Sequence, residues 1–214
     1  MVSIPIALLD FVPVLLFGAA VVLLQRDLYG KMVKGAYALF AAGTIDATMA
    51  GFLKAVHKLL YALGVCDFQP LKQMFFPVQA IGFLLAGCGA LYIGARGPKG
   101  RKALAVAAPP AFTGTFIFVG IMLTGLGMLY AGLGRVAAKM KKPAAVALLV
   151  VSFVFSLGMG YLASRDFAQP VMNWMAELVN VVAQGSLLAA ALILHRSGLA
   201  ERECFGNESC RGSY

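Results

Sequence analysis

Charge is the scarce ingredient of this sequence. Asp, Glu, Lys and Arg make up 13% of the 214 residues, whereas 61% are hydrophobic. Soluble domains carry about a quarter charged residues, so a water-soluble globule is excluded. The mean hydropathy of +0.85 points to lipid. Histidine is scarcer still. His57 and His195 stand far apart, and neither belongs to an HExxH or paired-histidine spacing, so no metal or other cofactor is expected. A GxSxG nucleophile elbow is also missing, and no strand precedes a glycine loop that might cradle phosphate. Ser152 or Ser156 with His57 is the only hydrolase-like combination, and nothing selects it, so an intramembrane lipid-acting enzyme ranks last. The four cysteines are too few for a disulfide scaffold. Cys88 falls in an apolar run and Cys66 in a loop, while Cys204 and Cys210 are spaced to close a small ring or to lie free. Asn207-Glu208-Ser209 is a glycosylation sequon only in a eukaryotic secretory protein.

What the chain does have is long apolar runs. They predict an all-α, polytopic integral membrane bundle of six spans: about Ile4–Gln25, Gly35–Gly64, Met74–Ala95, Ala103–Gly134, Ala144–Ser164 and Pro170–His195. The first is read as a retained span, because it lacks a basic n-region before it and a small-residue cleavage site after it. The second exceeds the ~20 residues that a bilayer needs, so it should tilt or project. In the fourth, Ala103–Ala108 is read as an interfacial lead-in and Pro109-Pro110 as the first turn of the helix, where a missing N–H does no harm. A single membrane domain thus covers 1–196, and a polar tail covers 197–214. The net charge of +9 comes from 18 basic residues lying mostly between spans. That is headgroup electrostatics in a plasma (inner) membrane protein, and gives no reason to invoke nucleic acid.

The two halves, 1–95 and 103–196, carry matching segments. Lys31-Met32-Val33-Lys34 parallels Lys139-Met140-Lys141-Lys142, and Gly51-Phe52-Leu53 parallels Gly160-Tyr161-Leu162. Asp67-Phe68-Gln69-Pro70 parallels Asp166–Pro170, and Gly82 with Leu84-Leu85-Ala86 parallels Gly185 with Leu187-Leu188-Ala189. Two halves of three spans each would sit in opposite orientations, as a 3+3 inverted repeat. Charge counting resists this layout. Six spans divide the basic residues ten to eight, which is hardly a positive-inside bias. Seven spans, with Ala103–Lys139 folded as a hairpin turning at Phe118–Met122, divide them fourteen to four with the N-terminus outside. That alternative resembles the 3+1+3 layout of the sugar and PQ-loop transporters, a likeness of architecture that carries no motif. Its turn would be wholly apolar, with costly unsatisfied backbone, so six spans are preferred.

Two polar stripes interrupt the apolar runs. Asn173, Glu177, Asn180 and Gln184 recur at i, i+4, i+7 and i+11, one face of a helix. Near mid-membrane a carboxylate costs about 2.5–3.5 kcal/mol on the insertion scale, so Glu177 is expected to face a partner, a cavity or a substrate path. Asp46, Lys54, His57 and Tyr61 form the second stripe, with Asp46 near mid-depth as a second acid across a cavity. Lys58 is read as snorkelling to headgroups, and Asp10 as lying at headgroup level. The glycines of spans three and four (Gly82, Gly87, Gly89, Gly125, Gly127, Gly132 and Gly134) fit close helix packing. Together these features predict a small transporter or channel for a small polar solute or ion. Glu177, Asn180, Gln184, Asn173, Asp46, Lys54 and His57 would line its path, and proton coupling would run through a buried carboxylate. The expected partners are membrane lipids and the solute, with a homo-oligomer left open. The rival is a non-transporting scaffold, sensor or binding subunit, in which Glu177 is satisfied inside the bundle and no cavity reaches mid-membrane.

Overall fold

In the computed structural model, residues 3–93, 115–163 and 170–201 are described. Every regular element among them is a helix: α1 (Ile4–Leu9), α2 (Phe11–Leu28), α3 (Lys34–Ala62), α4 (Gln69–Leu91), α5 (Thr115–Lys139), α6 (Pro143–Ala163) and α7 (Pro170–Arg196). Five runs are long and apolar enough to cross a membrane, with α1 and α2 counted as one, and α6 contributes a shorter apolar stretch. At 1.5 Å per residue the 23 residues of α4 extend about 35 Å, enough for a hydrocarbon core of about 30 Å. With 29 residues α3 is longer, as the length of its apolar run foretold. Side chains such as Leu15, Val22, Val150, Val154 and Leu178 are exposed around the outside, as a lipid-facing surface requires.

Local chemistry explains the breaks. Pro13 has no N–H to offer the Leu9 carbonyl, and the helix parts one residue later, at Asp10. Gly64 closes α3 with φ +69°, while the Val65 N–H reaches back to the Leu60 carbonyl. Lys141 makes the same left-handed turn between α5 and α6 without being glycine (φ 55°), with the Lys142 N–H on the Ala137 carbonyl.

The helices pack as a closed ring in chain order, with α7 returning against α2. Contacts fix their directions. Thr44 meets Gln25 and Lys58 meets Asp10, so α3 runs opposite to α2. Gly43 lies against Gly82 and Ala86 while Gly89 lies against Phe40, so α4 reverses again. Gly125 abuts Phe83 and Leu84, and Gly132 abuts Ala90, so α5 runs parallel to α4. Tyr130 meets Ser152, and Ser152 meets Ala183, so α6 and α7 alternate. Hence α2, α3 and α4 point the same way as α5, α6 and α7 respectively. The repeat-matched pairs α3/α6 and α4/α7 are parallel, which corrects the inverted arrangement. The odd-span argument assumed that α4 and α5 would alternate, yet the chain leaves α4 at one end of the bundle and enters α5 at the other. The hairpin turn placed at Phe118–Met122 is also corrected, since unbroken α5 occupies those residues. Pro109-Pro110, Asp166 and the tail cysteines lie outside the described residues.

The apolar core fills one half of the ring. Leu24, Leu28, Phe40, Leu129, Leu133, Leu187 and Leu194 are among its largest fully buried side chains, toward the end that carries the α2–α3 and α5–α6 turns. Arg26, Lys31, Lys34, Arg135, Lys139, Lys141, Lys142 and Arg196 stand at this same basic end, against Lys54, Lys58 and Lys72 at the other.

Candidate functional site: a polar cleft above a buried Asp–Lys–Glu cluster

Three helices meet at the less basic end through charge. Lys58 on α3 donates to Glu177 Oε1 on α7 at 2.6 Å, and its Nζ stands 3.3 Å from Asp10 Oδ2 at the α1–α2 joint. Both acids are almost wholly buried, with Asp10 4% and Glu177 3% exposed. Both therefore flank the same ammonium. Asp10 Oδ2 and Glu177 Oε2 nevertheless have no hydrogen-bond partner, because the contact from Lys58 to Oδ2 is electrostatic without hydrogen-bond alignment.

Beside this cluster a cleft of about 60 Å³ opens among α2, α3, α4 and α7. Asp10, Lys54, Gln79, Thr48, Asn180 and Gln184 supply its polar wall, and Phe17, Phe75 and Phe83 its aromatic one. Phe17 is seven residues past Asp10, so the cleft descends roughly 10 Å along α2 before the apolar core stops it. Lys54 holds its ammonium 4.6 Å from the Phe75 ring centre, a cation–π contact. Gln184 donates to Asn180 Oδ1 at 3.3 Å, one helical turn back, and its own Oε1 has no donor.

Of the residues expected on a path, the structure brings Lys54, Asn180 and Gln184 onto the cleft, with Glu177 next to it. Asn173 is half-buried a turn before Glu177 and outside the cleft wall. His57 faces Asp67 at 3.3 Å near the α3–α4 turn and approaches neither Ser152 nor Ser156, which bond within the α5–α6–α7 side. Asp46 does not face the cleft. Its eight-residue step to Lys54 overshoots two turns by about 80°, and the inward stripe of α3 runs instead through Ala47, Gly51, Lys54 and Lys58. Asp10 holds the position expected of Asp46. Lys58 is likewise corrected from a snorkelling lysine to the hub of the cluster, since two buried acids hold it more strongly than headgroups would. A visible signal was the hairpin itself: Asp10 and Lys58, opposite in sign, fall at the same end of the first antiparallel pair.

A second buried pair ties α2 to α7 at the basic end. His195 Nδ1 lies 3.0 Å from both oxygens of Asp27, whose side chain is fully buried. Next to it, Lys31 donates to the Leu199 and Ala200 carbonyls at 2.6 Å. Desolvation there lowers the Lys31 ammonium below its usual pKa, against the pull of Asp27 and Glu201. Asp27 and His195 were missed because each sits at the last turn of its span, where a charged residue ordinarily reaches water. Among the described residues no group of three His, Cys, Asp or Glu side chains could hold a metal. Comparison with family models, characterised proteins and solved structures gives no match for this chain.

Proposed function

We propose that the protein is a small membrane transporter or channel passing a small polar solute or ion through the cleft among α2, α3, α4 and α7, with movement coupled to protonation of Glu177. One observation carries this reading: a cleft walled by polar side chains between four helices, whose inner residues Phe17 and Phe83 belong to the apolar core. A binding site near the midplane, reachable from one side and sealed from the other, is one state of an alternating-access cycle. The Asp27–His195 pair reinforces the sealed end.

The parallel course of the two halves supports repeats related by an axis along the membrane normal, as in one class of transporters. The positive-inside rule then puts the basic end in the cytoplasm and opens the cleft to the outside of the plasma (inner) membrane. The scaffold reading draws support from Lys58, which satisfies Glu177 Oε1 inside the bundle. It does not account for a cleft reaching mid-depth.

The test is a thermal-shift screen of the purified protein against ions, sugars, amino acids, nucleosides and lipids across pH, beside Glu177→Gln. A ligand at a hundred times its Kd stabilises by about 2.7 kcal/mol. A polar hit abolished by the substitution supports the transporter. No polar hit, with the variant less stable at every pH, favours the scaffold.

A further inference from the structure

Asp46 is the acid within a helix that the bundle leaves unpaired. Among the described residues it makes no hydrogen bond and no ion pair. It stands well inside α3, about 18 Å along the axis from Lys34 and about 24 Å from Ala62. A side chain as short as aspartate reaches neither end from there. Helical phase sets it toward the outside of the bundle. Ala42, Met49 and Leu53 lie within about 60° of it around α3, and all three are exposed, Met49 by 48%. In a membrane span an acid ordinarily faces the bundle interior, a watered cavity or a partner group. Asp46 has none of these within the chain.

The same outer face carries a groove. Between α2 and α3 an apolar depression of about 300 Å³ opens outward beside Leu15, Met49 and Phe52, with Gly18 and Ala19 on its α2 side. Met49 lines this groove and lies one turn beyond Asp46, so the acid and the groove are continuous.

Three occupants compete for such a face, and charge decides among them. A lipid fits a chain into the groove but keeps its charge at the headgroup, about 15 Å from the midplane, beyond the reach of Asp46. A second copy in the same orientation brings no cation to this depth. Among the described residues the chain's own cations stand near helix ends, as Arg26, Lys34, Arg135 and Arg196 do, or inside the bundle, as Lys54 and Lys58 do. A separate transmembrane helix with one basic residue halfway along meets both requirements. Its apolar side chains suit the groove, and its cation suits the acid.

We propose that the outer face of α3, from Asp46 across Met49 to the α2–α3 groove, docks a partner transmembrane helix carrying one lysine or arginine near its middle. Asp46 supplies the counter-charge and the groove the apolar seat. This surface is separate from the cleft, which Asp46 does not line, so the assignment requires membrane spans and is independent of transport.

Energy transfer in lipid vesicles tests it, between the full chain labelled at exposed Cys66, with the other cysteines replaced, and an acceptor-labelled peptide. The peptide is a leucine–alanine helix of about 20 residues with one central lysine, and versions with leucine or glutamate there are the controls. The expected result is saturable transfer with the lysine peptide, about fivefold tighter than with either control. Asp46→Asn should bring the lysine peptide to the level of the leucine control and leave the thermal melt in place, because nothing inside the bundle depends on Asp46. Asp46→Glu should keep most of the preference. Ala19→Phe, which fills the groove from α2, should weaken the lysine and leucine peptides alike. Equal binding of all three peptides, or a lysine preference that survives Asp46→Asn, overturns the proposal. A lower melting temperature of Asp46→Asn also overturns it, by giving Asp46 a partner within the bundle. Transfer between two labelled copies of the chain that Asp46→Asn abolishes assigns the face to a second copy instead.

Discussion

Lys58→Met is the most informative perturbation of the bundle. Methionine keeps the length and flexibility of the stem and deletes the ammonium, so packing along α3 is nearly preserved. What it leaves is Asp10 and Glu177, each no more than 5% exposed at the side chain, with only the more distant Lys54 ammonium across the cleft as counter-charge. Removing one partner of a buried pair costs about 3–5 kcal/mol, because an uncompensated charge remains. Lys58 is itself 18% exposed, which puts the expectation at the lower end of that range. A chain of this size moves about 2–4 °C in Tm per kcal/mol, so a loss of roughly 6–12 °C is expected in detergent at neutral pH. The deficit should shrink as pH falls, since both carboxyls can then be neutral, and widen as pH rises. The double variant Lys58→Met/Glu177→Gln should recover much of the loss, with a coupling energy above about 1 kcal/mol in the cycle. A Lys58→Met protein within about 0.5 kcal/mol of wild type at every pH would refute the reasoning and return Lys58 to the headgroups.

Three further predictions concern the frame around the cleft. At Gly43 a Cβ would lie 2.3 Å from the Ala86 backbone nitrogen, so Gly43→Ala must push α3 from α4 and should cost about 1–3 kcal/mol; Gly127 has open space, so Gly127→Ala should raise stability by up to about 1 kcal/mol. Thermal melts of the two variants check this contrast, and equal effects would contradict the helix contacts. Ser152→Ala strands the buried Tyr130 hydroxyl and should cost about 1–3 kcal/mol, more than Tyr130→Phe, after which Ser152 still donates to the Ala183 carbonyl at 2.6 Å. With the other cysteines replaced, exposed Cys66 should react with an impermeant maleimide from outside intact cells, and a cysteine at Lys141 only after lysis. The reverse pattern would invert the proposed orientation.

Helices of membrane-spanning length and the bounds of most of them were legible in the sequence, because length and apolarity are properties of each segment separately. The run from Gly35 to Gly64 announced α3, and Pro170 to His195 announced α7 almost to the residue. The stripe Glu177–Asn180–Gln184 was legible for the same local reason, as one face of one helix. Partnership was not. Asp10 and Lys58 read separately as residues near span ends, where headgroups suffice, and only the packing of α7 between them turns both into parts of a buried cluster. Asp46 differs in the opposite sense: it was expected across a cavity, but helical phase turns it from the cleft that Ala47 and Thr48 line. The matched segments of the two halves were visible, yet their relative direction depends on whether α4 and α5 alternate. Glycine-to-backbone contacts at Gly87, Gly125 and Gly132 decide that they run together. Chemistry that a helix carries on its own face can be read along the chain. Which charges face one another, and which way each half points, are set by contacts between residues far apart in the chain, and only the folded bundle specifies those.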